Sequence, residues 1–329
     1  MKKANHGLWA IAGIFLVLTS CSTGSNLRKF NDENIEKEIP KEVAQKFEVK
    51  EVSNNKENEK KESVKPGKGG AQSLSAVAKK SSKTQTKTVE IVPNRKIEPM
   101  PFHVGEKLVY DVRFLGVTAA TFTSEVLPEK IVNDRKVYQL RGRAKTLKLF
   151  ELVYRADDIV DSFFDTEGLY SHRFTMNIDE SKQSRKVIEL YDYDKKKSYY
   201  WNRIDHVDKG FSEQKEEYDI KLWSQDPLSY LFFIRTVNLP VSSGDKVKIP
   251  VVLDGKQWES VISFDKKEII SVGSRSFDAN VYRMENYLNG ELKNKDNSIW
   301  VSNDSNRYIL RVETKVRVGS FAVALDRIL

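Results

Sequence analysis

The chain of 329 residues contains one cysteine, four histidines and four methionines. A single thiol excludes an intramolecular disulfide, so the fold must hold by packing alone. No apolar run reaches the roughly 20 residues that cross a bilayer as a helix; the longest runs from Leu8 to Leu18. His6, His103, His172 and His206 are far apart, and none has a second histidine or a cysteine at i+2 to i+4. HExxH, CxxC, GxSxG and phosphate-loop patterns are absent, which removes the usual signatures of zinc, redox, serine-hydrolase and nucleotide chemistry. No cofactor, no metal and no catalytic residue is expected. Net charge is also scarce where a fold is expected. The formal +8 divides into +7 for residues 1–100 and +1 for residues 101–329, so the basic pI is no sign of nucleic-acid binding.

The first residues have a layout of their own. Lys2 and Lys3 precede the apolar run, which is too short to span and has the length of a cleaved secretory h-region. It ends in Leu18-Thr19-Ser20-Cys21. This order of Leu, two small residues and Cys resembles the lipobox of bacterial lipoproteins. The resemblance implies that residues 1–20 are a signal peptide and that Cys21 is acylated and becomes the N-terminus, giving a membrane anchor. One acyl chain anchors only marginally and several anchor stably. Ser22 follows the cysteine. An Asp there would favour inner-membrane retention, so the expectation is an outer-membrane anchor with the protein in the periplasm.

Residues 21–100 read as the lipidated cysteine and a flexible charged tether. Asn31 to Ser63 is mostly Lys, Glu, Asn and Val, and Phe30 and Phe47 are the only aromatics between Cys21 and Pro101. Such a composition buries too little apolar surface to offset the entropy of ordering. A weak helical pattern, Ile35, Ile39, Val43 and Phe47, is expected to form only transiently. As a coil the segment would span roughly 50 Å, at about 5–6 Å per square root of residue number.

From Pro101 the pattern changes. Thirty of the 34 aromatics lie in residues 101–329. Lys107 to Phe114, Ala120 to Val126, Lys136 to Arg141 and Ile159 to Phe164 alternate with period two, as half-buried strands do. Asp254-Gly255 and Asn289-Gly290 are tight-hairpin signals. The fold class expected for residues 101–329 is mainly β: antiparallel curved sheets, a sandwich or an open barrel, with one short helix packed on or in the sheet. That helix starts at Asp226-Pro227, an N-cap followed by proline at the first helical position. Leu228, Leu231, Phe232 and Arg235 follow at helical spacing.

His103-Val104-Gly105-Glu106-Lys107-Leu108-Val109-Tyr110 resembles the opening of a bacterial family known as domain of unknown function 3108. Gly116 through Ala120, Asp226-Pro227-Leu228-Ser229 with Arg235, Gly244-Asp245, Gly255 and Trp300 through Asp304 follow in the same order, over about residues 102–328. The family usually keeps a glycine where this chain has Ala119 or Ala120. The resemblance implies an exported, mostly β domain and no particular activity.

Two clusters are candidates for chemistry or binding. Asp157, Asp158, Asp161, Asp165 and Glu167 are the densest acidic group. They suit a glycosidase pair or calcium, but alternation sends Asp157 and Asp158 to opposite faces, and Asp158 with Arg155 or Arg173 suits a cross-strand pair. Tyr191, Tyr193, Tyr199, Tyr200 and Trp201 flank a lysine turn, as sugar-stacking residues or as aromatic pairs of a hairpin. The region named for a ligand or partner is Tyr191, Tyr193, Tyr200, Trp201, Phe232 and Trp300. Three functions fit: non-catalytic binding of a lipid or lipid-linked glycan, contact with an envelope protein partner, or, least of all, cell-wall carbohydrate hydrolysis. Replacing Cys21→Ser should abolish incorporation of labelled palmitate; undiminished labelling would remove the anchor.

Overall fold

The computed structural model describes residues 27–30, 35–52, 88–90, 97–316 and 319–329. The signal segment and Cys21 lie outside these residues. In chain order the described elements are α1 (Lys41–Lys46), β1 (Lys50–Glu51), β2 (Thr88–Glu90), β3 (Lys107–Phe114), β4 (Val117–Val132), β5 (Arg135–Thr146), β6 (Asp157–Asp165), β7 (Ser171–Asp179) and β8 (Gln183–Asp192). They continue with β9 (Lys197–His206), β10 (Gly210–Asp219), α2 (Pro227–Thr236), β11 (Lys246–Leu253), β12 (Lys256–Val272), β13 (Arg275–Leu288), β14 (Glu291–Ser302), β15 (Ile309–Val316) and β16 (Gly319–Ile328).

All strands join one sheet, mainly antiparallel. β3 to β10 form one up-and-down run and β11 to β16 another; β3 pairs with β16 and joins them. β10 and β11 stand at opposite ends of the strand order, and β2 adds three parallel residues to β11. The sheet does not close by continuous backbone pairing. At the gap, Arg185 meets Asp254 at 2.8 Å and Gln225 bridges to the β11 backbone. The expected open, curved, mainly antiparallel architecture is therefore present. Both predicted tight hairpins form, with positive φ at Asp254, Gly255, Asn289 and Gly290, the signature of type I′ turns that match strand twist.

The alternation seen in the sequence puts Leu108, Tyr110 and Val112 of β3 and Val160 and Phe164 of β6 into one apolar interior. α2 lies in it. Eight of its ten residues are buried, and a helix apolar all round must be enclosed. It touches the neighbouring strands β5 and β6 and also β11, far from them in the strand order, so the sheet wraps around it. An enclosed helix cannot leave its end groups to water. Asp226 accepts from the amides of Leu228 and Ser229 at 2.8 Å each and from Ser162 and Ser171 at 2.5 Å each. At the other end Arg307 donates to the carbonyls of Ile234, Arg235 and Val237.

The segment expected to form a transient helix is seated in the structure, although its helix α1 covers only Lys41–Lys46, beyond Pro40, and Val43 alone of the four apolar residues lies in α1. Ile35, Ile39, Val43 and Phe47 cover Val132, Val137, Phe163, Ile188, Leu190 and Trp201 on the outer face of the sheet. Lys46 reaches Asp192 at 2.9 Å, and β1 pairs with β4. The four apolar residues recur at i+4, and the partner face is itself apolar. Composition averaged over eighty residues hid this short patterned stretch. The folded unit thus includes residues 35–52 as well as residues beyond 101.

Phe47→Ala should cost about 3 kcal/mol of local stability, the low end for a buried Phe. Limited proteolysis should then cut within residues 35–52 while β3 to β16 stay protected; an unchanged digest would mean the segment is not held by this contact.

Candidate functional site

Among the buried polar groups of the described residues, three stand out apart from the Asp226 cap. The first sits at the C-terminal end of α2. Arg235 and Glu106, 2% and 5% exposed, form a two-pronged pair at 2.6 and 2.9 Å. Arg235 also donates to the carbonyls of Pro101 and Asn306, and the rings of Phe102, Phe232 and Tyr308 surround its guanidinium. Each of its three nitrogens donates at least one hydrogen bond, as a buried charge requires.

The second group lies on the inner face of β8. Glu189 alternates with Val187 and Tyr191, so its carboxyl points inward. It accepts from Tyr218, Ser198 and Tyr191. Burial pushes its pKa up to about 7, against the pull of these three hydroxyls.

The third group is a carboxyl pair, Asp158 with Glu180, each 1% exposed. Tyr154 and Gln183 donate to Glu180 at 2.7 and 2.5 Å, and the Asp179 amide donates to Asp158 at 3.0 Å. Burial raises both pKa values, and the Glu180 charge pushes Asp158 up further. Two neighbouring carboxyls out of water hold one proton between them. The pair fastens the base of the β5–β6 loop, where Arg155 and Ser181 also exchange hydrogen bonds.

The acidic cluster named from sequence does not converge. Asp157 pairs with Arg143, Asp161 with Arg141, and Asp165 with Arg135 and His172. Asp158 has Glu180 as its partner, while Arg155 takes Asp179 and Arg173 takes Glu36. Arg135 and His172 hold the Asp165 carboxyl well below the carboxylate range despite burial. Among the described residues no group of three ligand-type side chains is placed to hold a metal.

The six residues named for binding also separate. Tyr191 and Tyr200 are inside the wrapped sheet, and Tyr193 donates to the Ser224 carbonyl beside them. Phe232 is on α2, edge-on to Phe102. Trp201 is on the opposite face, under Val43 and Phe47. Trp300 donates to Glu268 and lies beneath Arg311. The hairpin reading of Tyr191 to Trp201 holds, since β8 pairs with β9. Glu106, Arg235, Glu180 and Glu189 were not singled out from the sequence as site residues. For Glu189 the signal was present: a charge in register with inward apolar residues.

The cavity between α2 and β3, β4, β15 and β16 measures about 20 Å³ and has walls such as Tyr110, Phe122 and Phe232. That is room for about one water, whereas ligand pockets run to about 300–1,000 Å³. A groove of about 370 Å³ and mixed character lies outside, along Lys267, Glu268, Ile269, Asp278, Asn280 and Asn303.

A wrapped antiparallel sheet around a doubly capped helix, with the Gly105-Glu106 and Asp226-Pro227 segments locked together through Arg235, defines the class of this domain. The chain belongs to the family described as "Protein of unknown function (DUF3108)", which matches residues 109–326, two thirds of its length. No curated protein matches it. Among solved structures it is similar to a beta-barrel-like protein of domain of unknown function DUF1849 from Brucella abortus, with 11% identity over 68% of this chain and 97% of that one and a TM-score of 0.43. It is also similar to a protein described as exported, with a YmcC-like fold, from Bacteroides fragilis (11% identity, 70% and 98% coverage, TM-score 0.29). A third is a protein described as a lipoprotein from Parabacteroides distasonis (10% identity, 69% and 96% coverage, TM-score 0.30).

The raised carboxyls set a pH dependence. Folded Asp158, Glu180 and Glu189 retain protons that the unfolded chain releases near pH 4. More protons bound in the folded state mean stability falls as pH rises from about 4 toward and past neutrality. Denaturant midpoints at a series of pH values should show this decline, and the Asp158→Asn/Glu189→Gln double variant should lose most of it. An equal slope in both proteins would place the titrating groups elsewhere.

Proposed function

We propose that this is a lipid-anchored, non-catalytic protein of the cell envelope that works through contacts on its surface rather than through an enclosed ligand. The observation that carries this reading is the enclosed helix: α2 takes the space a ligand would need, and the cavity beside it measures about 20 Å³. An interior lipid would have to displace a helix with both ends capped and a buried ion pair at one of them. Catalysis finds no support in the acidic residues, since Asp157, Asp161 and Asp165 each face an arginine. The anchor is Cys21, the location is the periplasmic side of the outer membrane, and the partner is another envelope component.

Native mass spectrometry of the protein released from envelopes in mild detergent tests this. The expected mass is that of the chain plus its own acyl groups. A stoichiometric additional lipid, retained through gentle activation, would overturn the filled-interior reading.

A further inference from the structure

The up-and-down order sends alternate turns to opposite ends of the wrapped sheet. The turns after β3, β5, β7 and β9 share one end, and those after β4, β6 and β8 share the other. The two ends differ in chemistry. At the second end the β4–β5 and β8–β9 turns are Asn133-Asp134 and Tyr193 through Lys196, while the loop before β11 exposes Val241. At the first end two adjacent turns carry large apolar side chains in water. Leu115 and Val117 are 56% and 54% exposed, and Leu149, Leu152 and Val153 are 80%, 97% and 71% exposed. The two turns touch: the Leu147 amide donates to the Ala119 carbonyl at 3.0 Å. Exposed Lys145 and Lys315 flank them, with Lys148 in the second turn itself. A contiguous exposed apolar patch marks an interaction site rather than chance exposure. Apolar side chains flanked by three lysines, against the single Glu151 between them, suit the boundary between acyl chains and anionic headgroups.

The path of the N-terminal segment names the occupant. The Arg28 amide donates to Asp205 at 3.0 Å, and its guanidinium lies 4.9 Å from the Phe211 ring. Both residues flank the β9–β10 turn, at the same end as the apolar turns. From there the segment runs along the outside of the sheet to Lys46 at Asp192, near the other end. Cys21 precedes Leu27 by six residues, a reach of about 20 Å at about 3.3 Å per residue. The β5–β6 turn lies four strand spacings from the β9–β10 turn, also about 20 Å at about 4.8 Å each. An acylated Cys21 therefore has the reach to enter the same membrane plane as the apolar turns.

We propose that this end of the domain rests on the bilayer, with Leu149, Leu152 and Val153, beside Leu115 and Val117, entering the interface of an anionic membrane. The inference rests on the reading of Cys21 as the anchor. The Asp158–Glu180 pair, with Tyr154 and the Arg155–Ser181 bonds, holds the base of the inserting turn rigid. The domain is then seated against its membrane, and the polar turns of the opposite end face away from it.

The test uses the full chain with its anchor, reconstituted into vesicles of phosphatidylethanolamine and phosphatidylglycerol. Acylation consumes the only native thiol, so Leu152→Cys and, at the opposite end, Val241→Cys each offer a unique site for an environment-sensitive fluorophore. Emission at position 152 should rise about threefold and be quenched by bromine-labelled acyl chains, as interfacial burial predicts, while position 241 stays water-like. Water-like emission at both positions overturns the proposal, including the case in which the apolar turns serve a protein partner. Intact mass read before labelling separates the two claims. If the chain carries no acyl group the anchor reading fails, and the same chain is floated with the vesicles instead. Binding reduced at least about tenfold in Leu149→Glu/Leu152→Glu then supports the apolar end as a membrane site, and no flotation of the parent chain overturns it.

Discussion

The bond between Arg235 and Glu106 is the constraint on which the rest of the molecule depends. A wrapped sheet needs something to wrap around, and a helix placed there loses water at every end group. The chain supplies each lost partner from a different part of its length. Glu106, just before the first strand of the main sheet, takes the charge of Arg235. Ser162 and Ser171, from the strands in the middle, complete Asp226. Arg307, before the penultimate strand, closes the last carbonyls. The buried ion pair adds little net stability by itself, but leaving either member alone is expensive. Its value is geometric, since it accepts only the arrangement that brings those distant segments together.

Much of the fold was legible because local and global preferences agree. Asp226-Pro227 announced a helix start, and the structure has a capping box there with proline at the first position. Alternation in Lys107 to Phe114 gave a strand of those bounds. Asp254-Gly255 and Asn289-Gly290 named their turns. The pairing of β3 with β16 was illegible, since nothing in either strand records the other. The docking of Ile35, Ile39, Val43 and Phe47 was half legible. Their spacing was visible, but its worth depends on an apolar outer face assembled from Val132, Phe163, Ile188 and Trp201, which only the sheet brings together.

The site was less legible than the fold, for a physical reason. Acidic density drew attention to Asp157, Asp161 and Asp165, yet on the strand surface density means arginine partners on the neighbouring strand. The informative carboxyls are the sparse ones in inward register, Glu189 between Val187 and Tyr191 and Asp158 next to Val160 in that register. Aromatic clustering misled in the same way. Tyr200 and Trp201 are neighbours in sequence and face opposite sides of the sheet, because adjacent strand residues always do.

The join between β3 and β16 has a consequence for timing. Phe114 stands opposite Phe321, and Leu108 opposite Ile328. A chain is made from its N-terminus, so β3 waits for a partner made after all the other strands of the sheet. Until then β3 offers an open hydrogen-bonding edge, and α2 has a groove rather than an enclosure around it. An unpaired edge of this kind invites pairing with another chain, and contacts so distant in sequence form slowly. β16 thus acts as the closing stitch. A chain shortened by that one strand would keep almost all of its hydrophobic residues and lose the means to shelter them.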